Sequence, residues 1–207
     1  MKPATRLHTI VAGIHRWNSW HTEWKIDFSS YAVVTSAGVW FLDPMRPAPA
    51  LAKTLRSLGE PVGIFLTNAN HERDADWFRR ELQIQIYAHE KAIPECDLKV
   101  DVPVVDGEKL PGDLRVIYLP GAGPGECGLL CEKTLLLGDA LIHPKNKPVE
   151  RLPDAYCEDP RQLARSLKKL QDFAFDNVTF AHGEPLVGNA VKQLTSLIKS
   201  RKTTKSS

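Results

Sequence analysis

The stretch Thr67-Asn68-Ala69-Asn70-His71-Glu72-Arg73 decides how the rest of this 207-residue chain is read. It follows a short apolar run, Ile64-Phe65-Leu66, with the length and composition of a buried strand. It precedes residues 74–82, a segment predicted helical, with Asp74 placed as N-cap and acid in the first turn. A polar loop at the carboxyl end of a buried strand is where α/β folds put their binding and catalytic groups. This loop packs two carboxamides, an imidazole, a carboxylate and a guanidinium into seven residues.

Outward from the loop, the pattern is layered. Residues 7–14 alternate as a first strand, and 17–24 carry three tryptophans, Trp17, Trp20 and Trp24. Strands are predicted at 31–35 and 39–42 around a Ser36-Ala37-Gly38 turn, with Asp43-Pro44 ending the second. Leu51, Leu55 and Leu58 give 47–58 a helical spacing, with Gly59 just past its end. Further strands are predicted at 85–88, 103–105 and 114–119, then a tight loop over Pro120-Gly121-Ala122-Gly123-Pro124-Gly125. Residues 127–131 and 134–137 read as a hairpin over Glu132-Lys133, ended by Gly138-Asp139. Asp159-Pro160 is a helix start, and Leu163, Leu167 and Leu170 form that helix's buried stripe. A last strand at 178–180 exits through Ala181-His182-Gly183, and a final helix carries Val191, Leu194, Leu197 and Ile198. Strands and helices in this order suit two sheets packed between helices, an α/β (α+β) fold with a four-layer αββα sandwich.

Composition sets the limits. Apolar residues at 43% and charged residues at 25% fit a globular domain with its own core, and 207 residues fit one domain. A net charge of +2 makes no case for nucleic acid or an anionic membrane as partner. There is no apolar run of spanning length and no apolar signal core, so a cytoplasmic location is expected. The cysteines, Cys96, Cys127, Cys131 and Cys157, include no C-x-x-C pair, and reduced thiols are expected. Neither a G-x-S-x-G elbow nor a P-loop is present. The basic, Ser/Thr-rich residues 199–207 read as a flexible tail.

Four signals, each at a strand exit, resemble the metallo-β-lactamase superfamily: the 67–73 loop, Pro120-Gly121-x-x-Pro124-Gly125, Gly138-Asp139-Ala140 and Ala181-His182-Gly183. The resemblance spans about residues 8–198 and implies the αββα sandwich as a single domain. The family's loop reads T-H-x-H-x-D-H and helps hold two metals that drive hydrolysis. Carried over, the first metal would need Asn68, Asn70 and Ala122, and neither carboxamides nor alanine make a zinc site. The second would need Glu72, Arg73 and His182 beside Asp139, and Arg73 has no lone pair to give. The resemblance with these replacements implies a dinuclear site largely lost and no resident cofactor. The alternative is one divalent metal (zinc, manganese or iron) on Asp139, His182 and either Glu72 or His71, the last if the loop is shifted.

Arg73 is expected to replace the metal's charge by pairing with Asp139 or Glu72. Asp139, His182 and Glu72 are the catalytic candidates, while Asn68, Asn70, His71, Arg73, Ala122 and Trp20 are expected to line the ligand cleft. Three functions stay open. One is a small-molecule-binding or regulatory protein on a hydrolase-like scaffold. Another is a mononuclear-metal hydrolase of an ester, thioester or phosphoester. The third is a metal-free enzyme using His182 or Glu72 as base.

Overall fold

The computed structural model describes residues 2–23 and 25–198; Trp24 and the predicted tail lie outside the described residues. The first sheet runs in sequence order through β1 (His8–Val11), β2 (Ile14–His21), β3 (Ile26–Thr35), β4 (Gly38–Leu42), β5 (Pro61–Leu66), β6 (Gln85–His89) and β7 (Val102–Val104). Its first four strands pair antiparallel. From β4 onward the pairing is parallel, with α1 (Pro49–Arg56) and α2 (Ala75–Leu82) as crossovers between β4, β5 and β6. The second half supplies β8 (Lys109–Leu110), β9 (Leu114–Tyr118), β10 (Cys127–Cys131) and β11 (Thr134–Leu137). A ribbon of β12 (Leu141–Ile142) and β13 (Glu150–Arg151) follows, then α3 (Pro160–Ser166), β14 (Asn177–Thr179) and α4 (Ala190–Ile198). The second sheet is ordered β14-β11-β10-β9-β8.

Three apolar clusters fix four layers. Trp40, Leu42 and Phe65 from the first sheet meet Leu114, Val116 and Leu129 from the second, which makes the inner core. Leu51, Leu55 and Phe78 from α1 and α2 cover the outer face of the first sheet against Phe41, Ile64 and Ile86. Leu163, Leu167, Leu194 and Ile198 cover the outer face of the second against Leu135 and Val178. Strands β4 and β5 are continuous apolar runs because both their faces are covered, unlike alternating edge strands. The αββα sandwich expected from the sequence is the fold.

Several details differ from expectation. Residues 7–14 are not one strand: Gly13, at φ 76°, lets the chain turn between β1 and β2. Trp17 and Trp20 therefore fall in β2, where Trp17 is fully buried and stacks on Phe78, while Trp20 is 53% exposed. Asp74 sits at the start of α2, but its carboxylate accepts from Arg46 N–H (2.8 Å) and makes no cap bond. Asp159 does cap α3, accepting from the N–H groups of Arg161 and Gln162. Of the apolar residues predicted in the last helix, Leu194 and Ile198 are buried in α4 and Val191 is exposed.

The two sheets are stitched together at one end. Ser29 N–H donates to Ala181 O (2.9 Å), Cys127 N–H to Thr67 O (2.7 Å) and Ala69 N–H to Pro124 O (3.0 Å). Tyr31 OH donates to Phe180 O (2.7 Å) across the same seam. These bonds tie the exit of β14 to β3, and the exit of β5 to the start of β10 and the 120–125 loop.

Candidate metal centre

Four strand exits deliver the site. Asp43 lies just past β4, the 67–73 loop past β5, Asp139 past β11 and His182 past β14. Within the loop, Ala69–His71 forms a single 3₁₀ turn. Residues three apart eclipse in such a turn, so Asn68 and His71 share its inner side. Both are buried, whereas Asn70 between them is exposed.

His71 and His182 reach Asp139 from two sides. His71 Nε2 lies 3.3 Å from Asp139 Oδ2, and His182 Nε2 lies 3.2 Å from Oδ1. Each ring is held by its other nitrogen. His71 Nδ1 faces Asp43 Oδ2 at 2.9 Å, and His182 Nδ1 faces the Asp27 carbonyl at 2.9 Å. An ionised carboxylate and a carbonyl only accept, so both Nδ1 atoms carry hydrogen and both Nε2 atoms of the neutral rings turn a lone pair toward Asp139. At this range each Nε2 meets its carboxylate oxygen either through a proton of its own or through a cation between them. Asp139 Oδ1 has no aligned hydrogen-bond partner among the described residues, although it is nearly buried. The ligand atoms of His71, Asp139 and His182 all lie within 4.8 Å of one another. Two imidazoles and a carboxylate converging on one point, with each imidazole fixed from behind, fit a divalent metal such as zinc or iron.

Electrostatics says the same in other terms. Burial alone would strip the proton from His71, but the Asp139 and Asp43 carboxylates overcome it and push its pKa up to about 10. Burial likewise would raise Asp139, but the His71 charge and the histidine contacts hold it well below the usual carboxylate range. The centre thus attracts one positive charge, whether a proton on His71 or a metal in its place. Beside it sits Glu126, fully buried, accepting from Asn68 Nδ2 (2.7 Å) and Ala140 N–H (2.9 Å). Burial, and then the neighbouring Asp139 charge, push Glu126 up to about 8. Asn68 Nδ2 also donates to Asp139 Oδ2 (3.2 Å), so one neutral amide bridges the two acids.

The predicted residues divide accordingly. His71, Asp139, His182 and Asn68 meet, with His71 turned inward by the 3₁₀ turn. Glu72 does not join them: its Oε1 accepts from Leu98 N–H (3.0 Å) on the other side of the turn, so neither the catalytic nor the ligand assignment fits its position. Arg73 forms no ion pair with Glu72 or Asp139 among the described residues; its Nη1 donates to the carbonyls of Ser29 and Asp43 (2.9 Å to the latter). Arg73 acts on Asp43 and Asp139 through space, and the side chain that touches both carboxylates is His71. Ala122 is packed in the apolar cluster under α3, and Trp20 faces outward on β2. Sequence reasoning missed Asp43 as an anchor, Thr67, whose N–H and Oγ–H both donate to Asp43 (2.8 and 2.6 Å), and Glu126. The available signal was a lone carboxylate inside an apolar run: Asp43 after Val39-Trp40-Phe41-Leu42, and Glu126 before Cys127.

A profile of the metallo-β-lactamase superfamily matches residues 7–200. The chain belongs to the metallo-β-lactamase superfamily. Among solved structures, this superfamily member is similar to the DIM-1 metallo-β-lactamase at 17% identity, covering 95% of each chain with a TM-score of 0.77. It is similar to TTHA1623, solved in a di-iron-bound form, at 23% identity over 82% of this chain and 93% of that one, TM-score 0.64. It is also similar to FIM-1 from Pseudomonas aeruginosa, solved in a mono-zinc form, at 15% identity over 95% and 94%, TM-score 0.73. At such identities the likeness is one of fold. A comparison with curated protein sequences gives no match. Among the described residues no helix is long and apolar enough to cross a membrane.

Proposed function

We propose that this superfamily member binds a single divalent metal through His71, Asp139 and His182 and acts as a mononuclear hydrolase of an ester, thioester or phosphoester. The observation that carries this is the pair of back-anchored imidazoles whose Nε2 atoms face the two oxygens of one carboxylate. When bound, the metal would supply Lewis-acid polarisation of the scissile carbonyl or phosphoryl oxygen. The chain's own part is to hold the ligands. Asp43 fixes the tautomer of His71, the Asp27 carbonyl fixes that of His182, and Asn68 pins Asp139 Oδ2. Two-metal hydrolysis is not proposed. Asn68 spends its amide on Glu126 and Asp139, Asn70 is exposed, and Ala122 has no donor, so the first metal's place holds protein hydrogen bonds.

Purification without chelator, followed by metal analysis and anomalous diffraction, tests the proposal. One metal per chain at His71, Asp139 and His182 is expected, with ester or thioester turnover that His182→Ala removes. Protein that stays metal-free after zinc, manganese and iron are offered would sink it. It would leave a second reading, favoured by the strong hold of Asp43 and Asp139 on a His71 proton: a small-molecule binder whose charge is balanced without metal.

A further inference from the structure

A cavity of about 770 Å³ opens on the outer side of the first sheet, between α1, α2 and the first residues of the chain. Small-molecule sites commonly measure about 300–1,000 Å³. His71, Asp139 and His182 do not line it. The chain leaving Asp43 reaches it through Met45 and Arg46. The Ala4 carbonyl accepts from Ala48 N–H (2.8 Å), which ties the preceding Lys2 and Pro3 to its rim.

Its charge is one-sided. Lys2, Arg46, Lys53 and Arg56 line it against Asp74 and Glu81, an excess of two positive charges, as large as that of the whole chain. Both acids are engaged: Glu81 Oε2 accepts from Arg56 Nη2 (2.8 Å) and Asp74 Oδ2 from Arg46 N–H (2.8 Å). Lys2, Lys53 and the Arg46 side chain make no ion pair among the described residues. The first turn of α1 also lines the cavity, and it has neither an acidic residue nor a side-chain cap, so its dipole adds to the positive potential. A recess lined by one sign of charge concentrates ions of the other.

The walls are apolar and stiff. Pro3, Pro47 and Pro49 hold their backbone torsions fixed, and the Arg46 guanidinium carbon sits 5.1 Å from the centroid of the Trp77 ring. A bare inorganic anion would leave these walls facing water, and a neutral ring would leave the cations unpaired. We propose that the cavity binds a small organic anion built on a flat ring, with its charge against Lys2, Arg46 and Lys53 and its ring along Trp77 and the prolines. This site goes beyond the mononuclear-hydrolase reading and does not rest on it.

Phenylphosphonate is the probe, because its carbon–phosphorus bond withstands hydrolysis. Inorganic phosphate supplies the charge without the ring, and benzyl alcohol the ring without the charge. Each is titrated into the full chain after chelator treatment, following the indole N–H resonance of Trp77 and the ring protons of His182. Phenylphosphonate is expected to move the Trp77 resonance, to leave His182 still, and to bind at least about tenfold more tightly than either control. Lys53→Glu, on the exposed side of α1, is expected to weaken it at least about tenfold at low salt. No saturable binding, a response at His182 in place of Trp77, equal affinity for either control, or unchanged affinity in Lys53→Glu would each overturn the proposal. Should Lys53→Glu fail to fold, the three-probe comparison in the wild type decides alone. No metal takes part in this titration, so its outcome and that of the metal analysis are read separately.

Discussion

Asp43 controls more of this site than its place at a strand end implies. It is buried at φ 44°, and its carboxylate accepts from Thr67 N–H, Thr67 Oγ–H and His71 Nδ1–H at 2.6 to 2.9 Å. Asparagine would keep the shape but replace one acceptor oxygen with a donor, turned against Thr67 or His71. The imidazole would then lose the partner that fixes its tautomer and raises its basicity. Asp43→Asn is therefore expected to weaken metal binding roughly 10–100-fold, the usual scale for removing a group behind a ligand. Competition against a coloured chelator measures it. In the metal-free state the same variant should move the His71 pKa down from about 10, because the Asp43 charge helps to raise it. Unaltered metal affinity together with an unaltered His71 titration would mean that Asp43 does not act through His71.

At the level of elements, the site exists because strand ends approach closely, and glycine permits it. A Cβ at Gly138, at the exit of β11, would meet Thr67 Oγ1 at 2.5 Å and Glu126 Oε1 at 2.8 Å. Gly138→Ala must push β5 from β11 or displace Glu126, and overpacking of this kind typically costs about 1–3 kcal/mol. Urea unfolding should show a lower midpoint with unchanged slope, and metal uptake should weaken in parallel. A midpoint equal to the wild type would mean that the seam is looser than these distances. Gly183, at φ 99° and with its Cβ position 1.9 Å from His143 O, leaves even less room. Gly183→Ala is expected to disturb the loop that carries His182 and to abolish metal binding first.

Elements with local signals were legible in the sequence. The 127–137 hairpin formed where predicted and the Asp159-capped helix started there, because turn chemistry and capping act within a few residues; the helix ends at Ser166, and Leu167 and Leu170 lie in a following 3₁₀ segment. The two-residue strands β8, β12 and β13 were not legible, since a period cannot be read from two positions. In the candidate site, Asp139 and His182 could be picked out from sequence because each stands alone in a strand-exit motif, and the fold brings the two side chains together. Glu72 was misplaced because the 3₁₀ turn rotates the loop, so position 71 points in and position 72 falls on the side of Ala69, toward Leu98. Asp43 and Glu126 were invisible for another reason. Their partners are 24 to 28 and 14 to 58 residues away, and only the fold brings them together.

For the whole molecule, these buried groups set how stability follows pH once metal is stripped away. Glu126 ordinarily titrates near 4.5 but near 8 in the fold, so its contribution is complete below about pH 4.5 and is lost as pH rises through 8. His71 moves from 6.5 to about 10, so its contribution is complete below about 6.5 and is lost toward 10. Asp139 runs the other way. Its pKa is depressed, so its contribution is present above about 3.8 and is lost as pH falls below that. The chelator-treated protein should therefore be most stable on the mildly acidic side and lose stability toward pH 10. The limiting slope is about 1.4 kcal/mol per pH unit for each proton involved. Glu126→Gln removes the first contribution, since glutamine cannot ionise, but its single amide oxygen can accept from Asn68 or from Ala140 N–H and not from both. Its stability should start below the wild type at pH 5, because one buried donor loses its acceptor, and should change less between pH 5 and 8. Metal should oppose the trend, since it must displace the His71 proton and so binds more tightly as pH rises. The melting shift on adding zinc is then larger at pH 8 than at pH 6. Thermal unfolding across this range, with and without zinc, measures both effects. A Glu126→Gln profile parallel to the wild type would show that Glu126 is ionised throughout, and that the amide of Asn68 separates two full charges instead of one.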